Sequence, residues 1–333
     1  MKASVVVLNR NGETFLQRCL SSVEEATSRR SDIEVILADN GSTDDSVPLT
    51  RKLFPAVKVL DFGRNYGFAE ANNKAAAVAK GEYLAFLNND TTVDRAWLCE
   101  LIRAADSDPS IAICGSRIMF MHSRDKVNHA GGKITVIGSG YDQDFGLTVQ
   151  SISDICHTGY ACGASMFVRR SAFQKLGGFD PVYFAFCEDV DLAWRAWIAG
   201  YEVVHVPTSI VYHKFSGTWH LEGDKLYFWH RNCKINILKN FQTPRAIRGI
   251  ILNSLFDIVR MLEGLRNRSV GTTTSIVRGY YWILRNIRRI LKSRASVSRQ
   301  RSRGDAALQR IGIFASVPES YKEYKRARTD QEG

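Results

Sequence analysis

The chain has 333 residues, 45% of them hydrophobic, and a formal net charge of +11, which allows one large domain or one domain with a small annex. We expect neither a secretory leader nor a membrane-spanning helix, because residues 1–8 already have the pattern of a strand and no run approaches about 18 consecutive apolar residues. Seven cysteines without a CxxC pair favour neither a disulfide framework nor a zinc site, which predicts a reducing, cytosolic location.

Strand and helix patterns alternate along the first hundred residues. Apolar, β-branched runs predict strands at 3–8, 33–38, 57–60 and 83–87, and helical spacing follows at 15–23, 68–79 and 95–105. Beyond them we predict strands at 111–114, 164–168 and 202–206, helices at 190–199 and 226–238, and a hairpin or flexible connection at 126–146. The alternation is typical of parallel βαβ units and predicts an α/β fold.

Polar residues end two of the predicted strands. Asp39 and Asn40 follow one of them, and Asn88, Asn89 and Asp90 follow another. In open α/β sheets, ligands bind outside the carboxyl ends of the strands. Mg²⁺ usually binds one or two carboxylates together with phosphate oxygens of the substrate. These two groups of polar residues therefore favour a nucleotide diphosphate as the ligand. The alternative is an Asx turn and helix caps, which leave Asp39 and Asp90 unexplained.

Two further loops are candidates for nucleotide contacts. Asn9 and Asn11 follow the first strand, and Arg64 and Asn65 lie between two glycines just before a predicted helix. A helix N-terminus favours phosphate, although plain turns explain both segments as well. No G-x-G-x-x-G fingerprint is present.

An acidic cluster opens the helix predicted at 190–199. Glu188, Asp189 and Asp191 lie among aromatic residues in the sequence. Aromatic surroundings remove water from a carboxyl, which raises its pKa and suits it to act as a general base. The macrodipole of the helix also favours these charges, and Asp191 has the spacing to pair with Arg195. Glu188 and Asp189 are therefore the better catalytic candidates.

One histidine has the position of a residue just after a strand. His213 lies beside Lys214 and a glycine turn at Gly217, where it could join Asp90 on a metal or contact a diphosphate. A lone histidine is also commonly structural.

Taken in order, these segments resemble the family 2 glycosyltransferases with the GT-A fold, and within them the rhamnosyltransferase-like branch. The similarity runs from residue 4 to about residue 240. It is carried by VVVLNRNG, ADNGSTDDS, GRNYGFAEANN, LAFLNND, CGASMFVRR, GGFDPVYFAFCEDVDLAWRAWIAGY and VYHKFSG. The resemblance implies a Rossmann-like, mixed and mostly parallel sheet flanked by helices over residues 1–241. The charge and apolar spacing of residues 242–333 predict a basic helical extension.

The resemblance also implies roles for individual residues. Asp189, with Glu188, would provide the catalytic base, and Asp90 with His213 would hold Mg²⁺ or Mn²⁺. The D-x-D metal motif of the family is altered here, because Asn88 stands in place of its first Asp. The nucleotide would contact Asn9, Asn11, Asp39, Asn40, Arg64, Asn65, Asn88 and Asn89. The acceptor side would include Cys162, Gly163 and Trp194.

The expected reaction is a single inverting displacement that moves a sugar from a nucleotide sugar to an acceptor hydroxyl. By resemblance, rhamnose from dTDP-rhamnose is the first expectation, with UDP-sugars as alternatives. The acceptor would be a saccharide or lipid-linked saccharide in bacterial surface polysaccharide synthesis. The rival functions are a sugar-nucleotide nucleotidyltransferase, which should carry a fuller Gly-rich basic signature after its first strand, and a nucleic-acid-binding protein that uses the basic tail.

Positive charge is concentrated in the last part of the chain. Residues 242–333 carry 19 Lys/Arg and 7 Asp/Glu, whereas residues 1–241 are nearly neutral. Apolar residues with helical spacing at 247–262 and 276–291 alternate there with arginines, as in interfacial membrane helices. We expect peripheral binding to an anionic membrane surface and no binding of nucleic acid. The alternatives are a helix pair packed on the body or a homodimer contact.

Overall fold

The computed structural model describes residues 1–149, 154–214, 222–266 and 270–329. The strands are β1 (Ala3–Asn9), β2 (Ile33–Asp39), β3 (Lys58–Asp61), β4 (Tyr83–Asn88), β5 (Thr91–Val93), β6 (Ile111–Phe120), β7 (Val127–His129), β8 (Gly132–Ile134), β9 (Gly140–Asp142), β10 (Cys156–His157), β11 (Ser165–Arg169) and β12 (Glu202–His213). The helices are α1 (Glu13–Thr27), α2 (Ser46–Leu53), α3 (Gly67–Val78), α4 (Trp97–Ser107), α5 (Arg170–Leu176), α6 (Glu188–Ile198), α7 (Glu222–Asn240), α8 (Thr243–Arg266), α9 (Val270–Arg299), α10 (Asp305–Ile311) and α11 (Val317–Thr329).

One mixed sheet organises the molecule. Its strand order is β10-β12-β6-β11-β4-β1-β2-β3, with β5 paired to β12 and β7 paired to β6. The pairs β1–β2, β1–β4, β2–β3 and β6–β12 are parallel, and β11 runs antiparallel to both β4 and β6. Helices cover both faces of the sheet, so the central run Val5–Val7 is buried throughout. The predicted α/β architecture is therefore confirmed.

Two strands are longer than the sequence pattern predicts. β12 continues beyond Val206 to His213, and β6 continues beyond Cys114 to Phe120. The pairing register of the two strands shifts between Val206 and Ile210, where Pro207 interrupts the alternation. Proline within a sheet is confined to edges and bulges. The predicted strand therefore stops before Pro207, whereas the real strand β12 passes through it as a bulge.

The C-terminal region shares the core of the body. Trp194 of α6 packs edge-to-face against Phe241 and Phe314, with ring centroids 4.4 and 5.7 Å apart. Val297 and Leu308 belong to the same buried cluster. Residue 241 is therefore not a boundary between two separate cores. No helix among the described residues has the length and apolar content to cross a membrane.

Candidate active site

The carboxyl ends of β1, β2 and β4 meet in one buried hydrogen-bond network. Asn9 donates to Oδ1 of Asp39 at 2.9 Å, and Asn89 donates to Oδ1 of Asn9 at 2.7 Å. The hydroxyl and the backbone amide of Ser42 both donate to Asp39, at 2.6 and 2.9 Å. Asp39 itself thus stabilises the turn that follows β2, so its position has a structural explanation as well. Its nucleoside contact stays a prediction.

A second network joins the end of β2 to the loop before α3. Asn40 donates to Oδ1 of Asn65 at 3.0 Å and accepts from the backbone amide of Tyr66 at 2.8 Å. A Cβ at Gly41, where φ is +77°, would lie 2.6 Å from the backbone of Arg64, so only glycine permits this close approach. The structure therefore brings the predicted residues Asn40, Arg64 and Asn65 together.

The remaining predicted nucleotide residues lie at the rim of these networks. Oδ1 of Asn11 accepts from the backbone amide of Thr43 at 2.8 Å. The exposed Arg64 guanidinium stacks over the ring of Tyr66 at 4.4 Å from its centroid. Asn88 is partly exposed at the end of β4. These three side chains stay accessible to a ligand.

The predicted metal residues are neighbours. Thr91 of β5 pairs with His213, the last residue of β12, and this pairing brings the imidazole to the carboxylate of Asp90. Nε2 of His213 lies 3.3 Å from Oδ1 of Asp90. Nδ1 of His213 lies 3.2 Å from Oδ1 of Asn128, so that the amide oxygen accepts from Nδ1 and leaves Nε2 towards the carboxylate. The segment from Phe215 to Gly217 lies outside the described residues.

These residues fit a divalent cation that keeps other ligands. Oδ1 of Asp90 is buried and accepts no hydrogen bond from the described residues. No group of three or more His, Cys, Asp or Glu that could hold a metal occurs in the described parts of the chain. A carboxylate and an imidazole alone suit a metal that also binds water and phosphate oxygens, as Mg²⁺ and Mn²⁺ do.

A cleft of about 720 Å³ opens beside Asp90. The side chains that line it include Arg18, Lys214 and Thr14. The sequence analysis did not single out Arg18, which lies within the predicted helical region, or Thr14, which directly precedes it, because neither carries a motif. Two cations beside a carboxylate suit a ligand that has both a metal and phosphate groups.

Asp189 lies at the start of α6, facing the loop before β11. Its Oδ2 accepts from the backbone amide of Gly163 at 2.8 Å, and its Oδ1 accepts from Val190 at 2.8 Å. Burial raises the pKa of Asp189 above its usual 3.8, and the two amide hydrogen bonds oppose this rise. Asp189 is partly exposed as a residue. An elevated pKa and partial exposure suit a carboxylate to general-base catalysis.

The two neighbouring carboxyls differ from Asp189. Glu188 is buried, its Oε2 has no partner among the described residues, and burial followed by the charge of Asp189 raises its pKa well above 4.5. Asp191 accepts from Arg195 at 2.8 Å and from Lys239 at 3.0 Å. Burial alone would raise the pKa of Asp191, but these two charges lower it to about 2. The predicted pairing of Asp191 with Arg195 is confirmed.

The backbone just before Glu188 is strained. Phe184, Phe186 and Cys187 have φ values of 63°, 70° and 65°, which bulky side chains rarely adopt. Phe184 is the centre of a γ-turn in which the amide of Ala185 donates to Tyr183 at 2.8 Å. Strain of this kind persists only where the surroundings hold it, and it clusters at functional sites.

Helix α7 holds this strained segment, which the sequence analysis missed. The amide of Asn232 donates to the carbonyl oxygens of Tyr183, Ala185 and Phe186 at 3.0, 2.7 and 2.7 Å. Arg231 donates to the carbonyl of Tyr183 as well, at 2.9 Å. A signal was present in the sequence: amides at 232, 236 and 240 recur every four residues, on one face of a predicted helix.

The predicted acceptor residues separate into two groups. Gly163 contacts Asp189, and the partly exposed Cys162 precedes it. Trp194 has no exposed surface, because it lies in the core against Phe241 and Phe314. The assignment of Trp194 to the acceptor side is therefore wrong for this structure.

A buried polar group lies near the acceptor side and was also missed. Nδ1 of His129 lies 2.8 Å from Oδ1 of Asp142, which also accepts from the hydroxyl of Tyr160. The charge of His129 lowers the pKa of Asp189, and that of Asp142 raises it. His129 and Asp142 both lie in the segment 126–146, which was predicted only as a hairpin or flexible connection and carries no motif.

Comparisons with known proteins agree with this geometry. Residues 4–177 match the model of glycosyl transferase family 2. The chain is 29% identical over 254 residues to an N-acetylglucosaminyl-diphospho-decaprenol L-rhamnosyltransferase of Mycobacterium tuberculosis, covering 69% of this chain and 82% of that protein. It is 25% identical over 269 residues to rhamnosyltransferase WbbL of Escherichia coli, covering 76% and 96% of the two chains.

Solved structures give the same fold. GalNAc-T7 with UDP, GalNAc and Mn²⁺ superposes with a TM-score of 0.59 at 21% identity, over 72% of this chain and 48% of that one. The mannosyltransferase PcManGT of Pyrobaculum calidifontis, in complex with GDP-Man and Mn²⁺, gives 0.54 at 14% identity, over 90% and 85%. The fold is that of the GT-A glycosyltransferases, as predicted. The chain belongs to glycosyltransferase family 2.

Proposed function

We propose that the protein is a metal-dependent, inverting glycosyltransferase in which Asp189 is the catalytic base. The observation that carries the proposal is the carboxylate of the partly exposed Asp189, oriented by the amide of Gly163 at 2.8 Å. Asp90 and His213 form a separate site for the donor, with Nε2 of His213 3.3 Å from Oδ1 of Asp90. Membership of glycosyltransferase family 2 supports this reading over the nucleotidyltransferase alternative.

The reaction is a single displacement at the anomeric carbon. Asp189 takes the proton of an acceptor hydroxyl as that oxygen attacks the carbon. The bond from the carbon to the diphosphate oxygen breaks, and the nucleoside diphosphate leaves with the electron pair. One attack from the opposite face inverts the configuration, and no covalent enzyme intermediate forms.

Asp90 and His213 would hold Mg²⁺ or Mn²⁺, with Asn128 orienting the imidazole. A divalent cation bound there supplies charge neutralisation for the leaving diphosphate. The networks around Asp39 and Asn40 would bind the nucleoside, and Arg64 would face the phosphates. Two solved relatives in fold contain Mn²⁺, which supports the same metal class here.

The donor and acceptor follow from the relatives. We propose rhamnose from dTDP-rhamnose as the donor sugar, with UDP-sugars as the next class. The decaprenol-linked acceptor in the name of one relative supports a lipid-linked saccharide acceptor, used at the inner face of a membrane in envelope polysaccharide synthesis.

The test is a donor screen with Mn²⁺ or Mg²⁺, comparing the wild type with Asp189→Asn. We expect one nucleotide sugar to be consumed with a metal, and a glycoside of inverted anomeric configuration by NMR. Retention of configuration, or equal turnover by Asp189→Asn, would refute the mechanism. Turnover that EDTA leaves unchanged would refute the metal requirement.

A further inference from the structure

The outer face of α8 carries a stripe of exposed apolar side chains. Its members recur every three or four residues and are between 53 and 61% exposed. They are Ile247, Ile251, Leu255, Ile258 and Leu262. The inner face of the same helix is occupied by buried residues such as Ala246 and Asn253. The stripe is therefore additional to the packing of α8 on the body.

Helix α9 has the same two-sided construction. Ile276, Ile283 and Ile290 point inwards and are at most 7% exposed. The outer side chains of α9 are between 50 and 72% exposed; they are Val277, Tyr281, Leu284 and Leu291. α8 and α9 are in contact, since the hydroxyl of Tyr280 donates to Asp257 at 2.9 Å. Two neighbouring helices thus expose apolar stripes.

The exposed charge on these two helices is of one sign. Eight cations are exposed on them: Arg248, Arg266, Arg278, Arg285, Arg288, Arg289, Lys292 and Arg299. The acidic residues of α8 are Asp257, which is buried, and Glu263, which is partly buried; α9 has none. Single exposed apolar residues are ordinary on protein surfaces, but repeated stripes with a cationic border mark a binding surface.

We propose that the exposed faces of α8 and α9 dock on an anionic lipid bilayer, with the apolar stripes in the interface and the arginines at the headgroups. Charge decides between this occupant and a second copy of the chain. A two-fold dimer places the same patch on both sides, so the cations would face each other. Anionic headgroups instead attract each basic residue near the surface. The proposal goes beyond the transfer reaction and does not depend on it.

The docking face is connected to the active site by packing. Inward residues of α9, including Ile283 and Ile290, form one cluster with Tyr183 and Cys187, which lie at the two ends of the segment 183–187 just before Glu188 and Asp189. Trp282 of α9 lies 4.6 Å from the guanidinium of Arg231, which binds the same strained segment. A membrane that binds α9 therefore holds the active site close to lipid-linked acceptors.

The test is flotation of the full chain with vesicles of phosphatidylcholine alone and of phosphatidylcholine mixed equally with phosphatidylglycerol. We expect flotation only with the anionic vesicles. Ile251→Ser with Leu255→Ser, and separately Arg288→Gln with Arg289→Gln, should each lower the bound fraction about tenfold. Leu49→Ser with Leu53→Ser is the matched control, because these α2 leucines are also exposed, at 37 and 44%.

Three results would overturn the proposal. The first is wild-type protein that stays at the bottom with anionic vesicles. The second is light scattering that finds a dimer which Ile251→Ser with Leu255→Ser converts to monomer. The third is binding to duplex DNA that both variants lose to the same extent as they lose flotation. Asp189→Asn should float like the wild type, so that a failed docking and a failed mechanism are told apart.

Discussion

The backbone amide of Gly163 donates a 2.8 Å hydrogen bond to Oδ2 of Asp189. The two residues are 26 positions apart, on the loop before β11 and at the first turn of α6. An amide that donates to a carboxylate favours its charged form, whereas burial favours the neutral one. The same contact thus orients the proposed base and limits the rise of its pKa.

Replacing Asp189 with Asn should lower kcat by about 10²–10⁴-fold, because the carboxamide cannot take a proton in the transition state. The KM for the donor should change little, since Asp189 faces the acceptor side. Asp108→Asn, an exposed cap far from the site, is the control. A kcat within a few-fold of the wild type would remove Asp189 from the mechanism.

The pH dependence of kcat/KM should show an acidic limb governed by Asp189. Burial raises the pKa of Asp189 above 3.8, so the base is protonated, and the enzyme inactive, over a wider acidic range than an ordinary aspartate would give. Activity should rise with pH through this elevated pKa. The measurement is initial rate against pH at saturating metal. A limb with its midpoint at or below 3.8 would contradict the assignment.

Glu188→Gln should stabilise the fold at high pH. The pKa of Glu188 is raised well above 4.5 by burial, so the folded state binds a proton that the unfolded state has released. The contribution of Glu188 to the free energy of unfolding is fully present below pH 4.5. It is lost as the pH rises through the pKa that Glu188 has in the folded state. Urea unfolding at about pH 8 should therefore favour the variant, with the difference shrinking towards pH 4.5. An equal advantage at both pH values would refute this account.

Removing the imidazole of His213 should weaken metal binding. We expect His213→Ala to raise the apparent Kd for Mn²⁺ in the presence of UDP, and Asn128→Ala to raise it about tenfold by releasing the ring. Free Mn²⁺ measured by electron paramagnetic resonance reports this without turnover. His157→Ala is the control, since that ring is exposed and pairs with Glu202. Unchanged Mn²⁺ affinity in His213→Ala would leave Asp90 as the single protein ligand.

Asn232→Ala should lower kcat more than it changes KM for the donor. The change removes the hydrogen bonds that Asn232 donates to the carbonyl oxygens of Ala185 and Phe186, and a buried group that loses its partner costs about 1–3 kcal/mol. The carbonyl oxygen of Tyr183 keeps its hydrogen bonds from Arg231 and from the amide of Ala185. Asn286→Ala removes an amide that donates within its own helix, to the carbonyl oxygen of Trp282, and serves as control. If both variants lose stability equally and keep kcat, Asn232 is only structural.

Local sequence predicts much of the sheet and the polar residues at the ends of its strands. Apolar runs flanked by helical spacing are sufficient to place β1 to β4, because buried parallel strands need residues that are apolar on both faces. Asp90 and Asp189 likewise follow from their positions next to these elements. The pairing of His213 with Asp90 was predicted as a possibility, and the 3.3 Å contact agrees with it.

Other features depend on contacts between distant segments. Trp194 looks like an acceptor contact beside the acidic cluster, but Phe314, 120 residues further on, covers it. Asn232 binds a segment about 47 residues before it, and no spacing rule reaches that far. Local patterns report only which residues share a face of one element.

The sequence by itself determined the α/β class, the order of the polar stations and the basic, amphipathic character of the last two long helices. Only the tertiary structure decided which apolar face of those helices is buried and which is exposed, since periodicity cannot tell a core-facing stripe from a second one beside it. It also decided that Asp189 meets Gly163, while Asp191 is neutralised by Arg195 and Lys239. The reason is physical: the pKa and reach of a carboxyl depend on burial and on charges that the fold, not the neighbouring sequence, places around it.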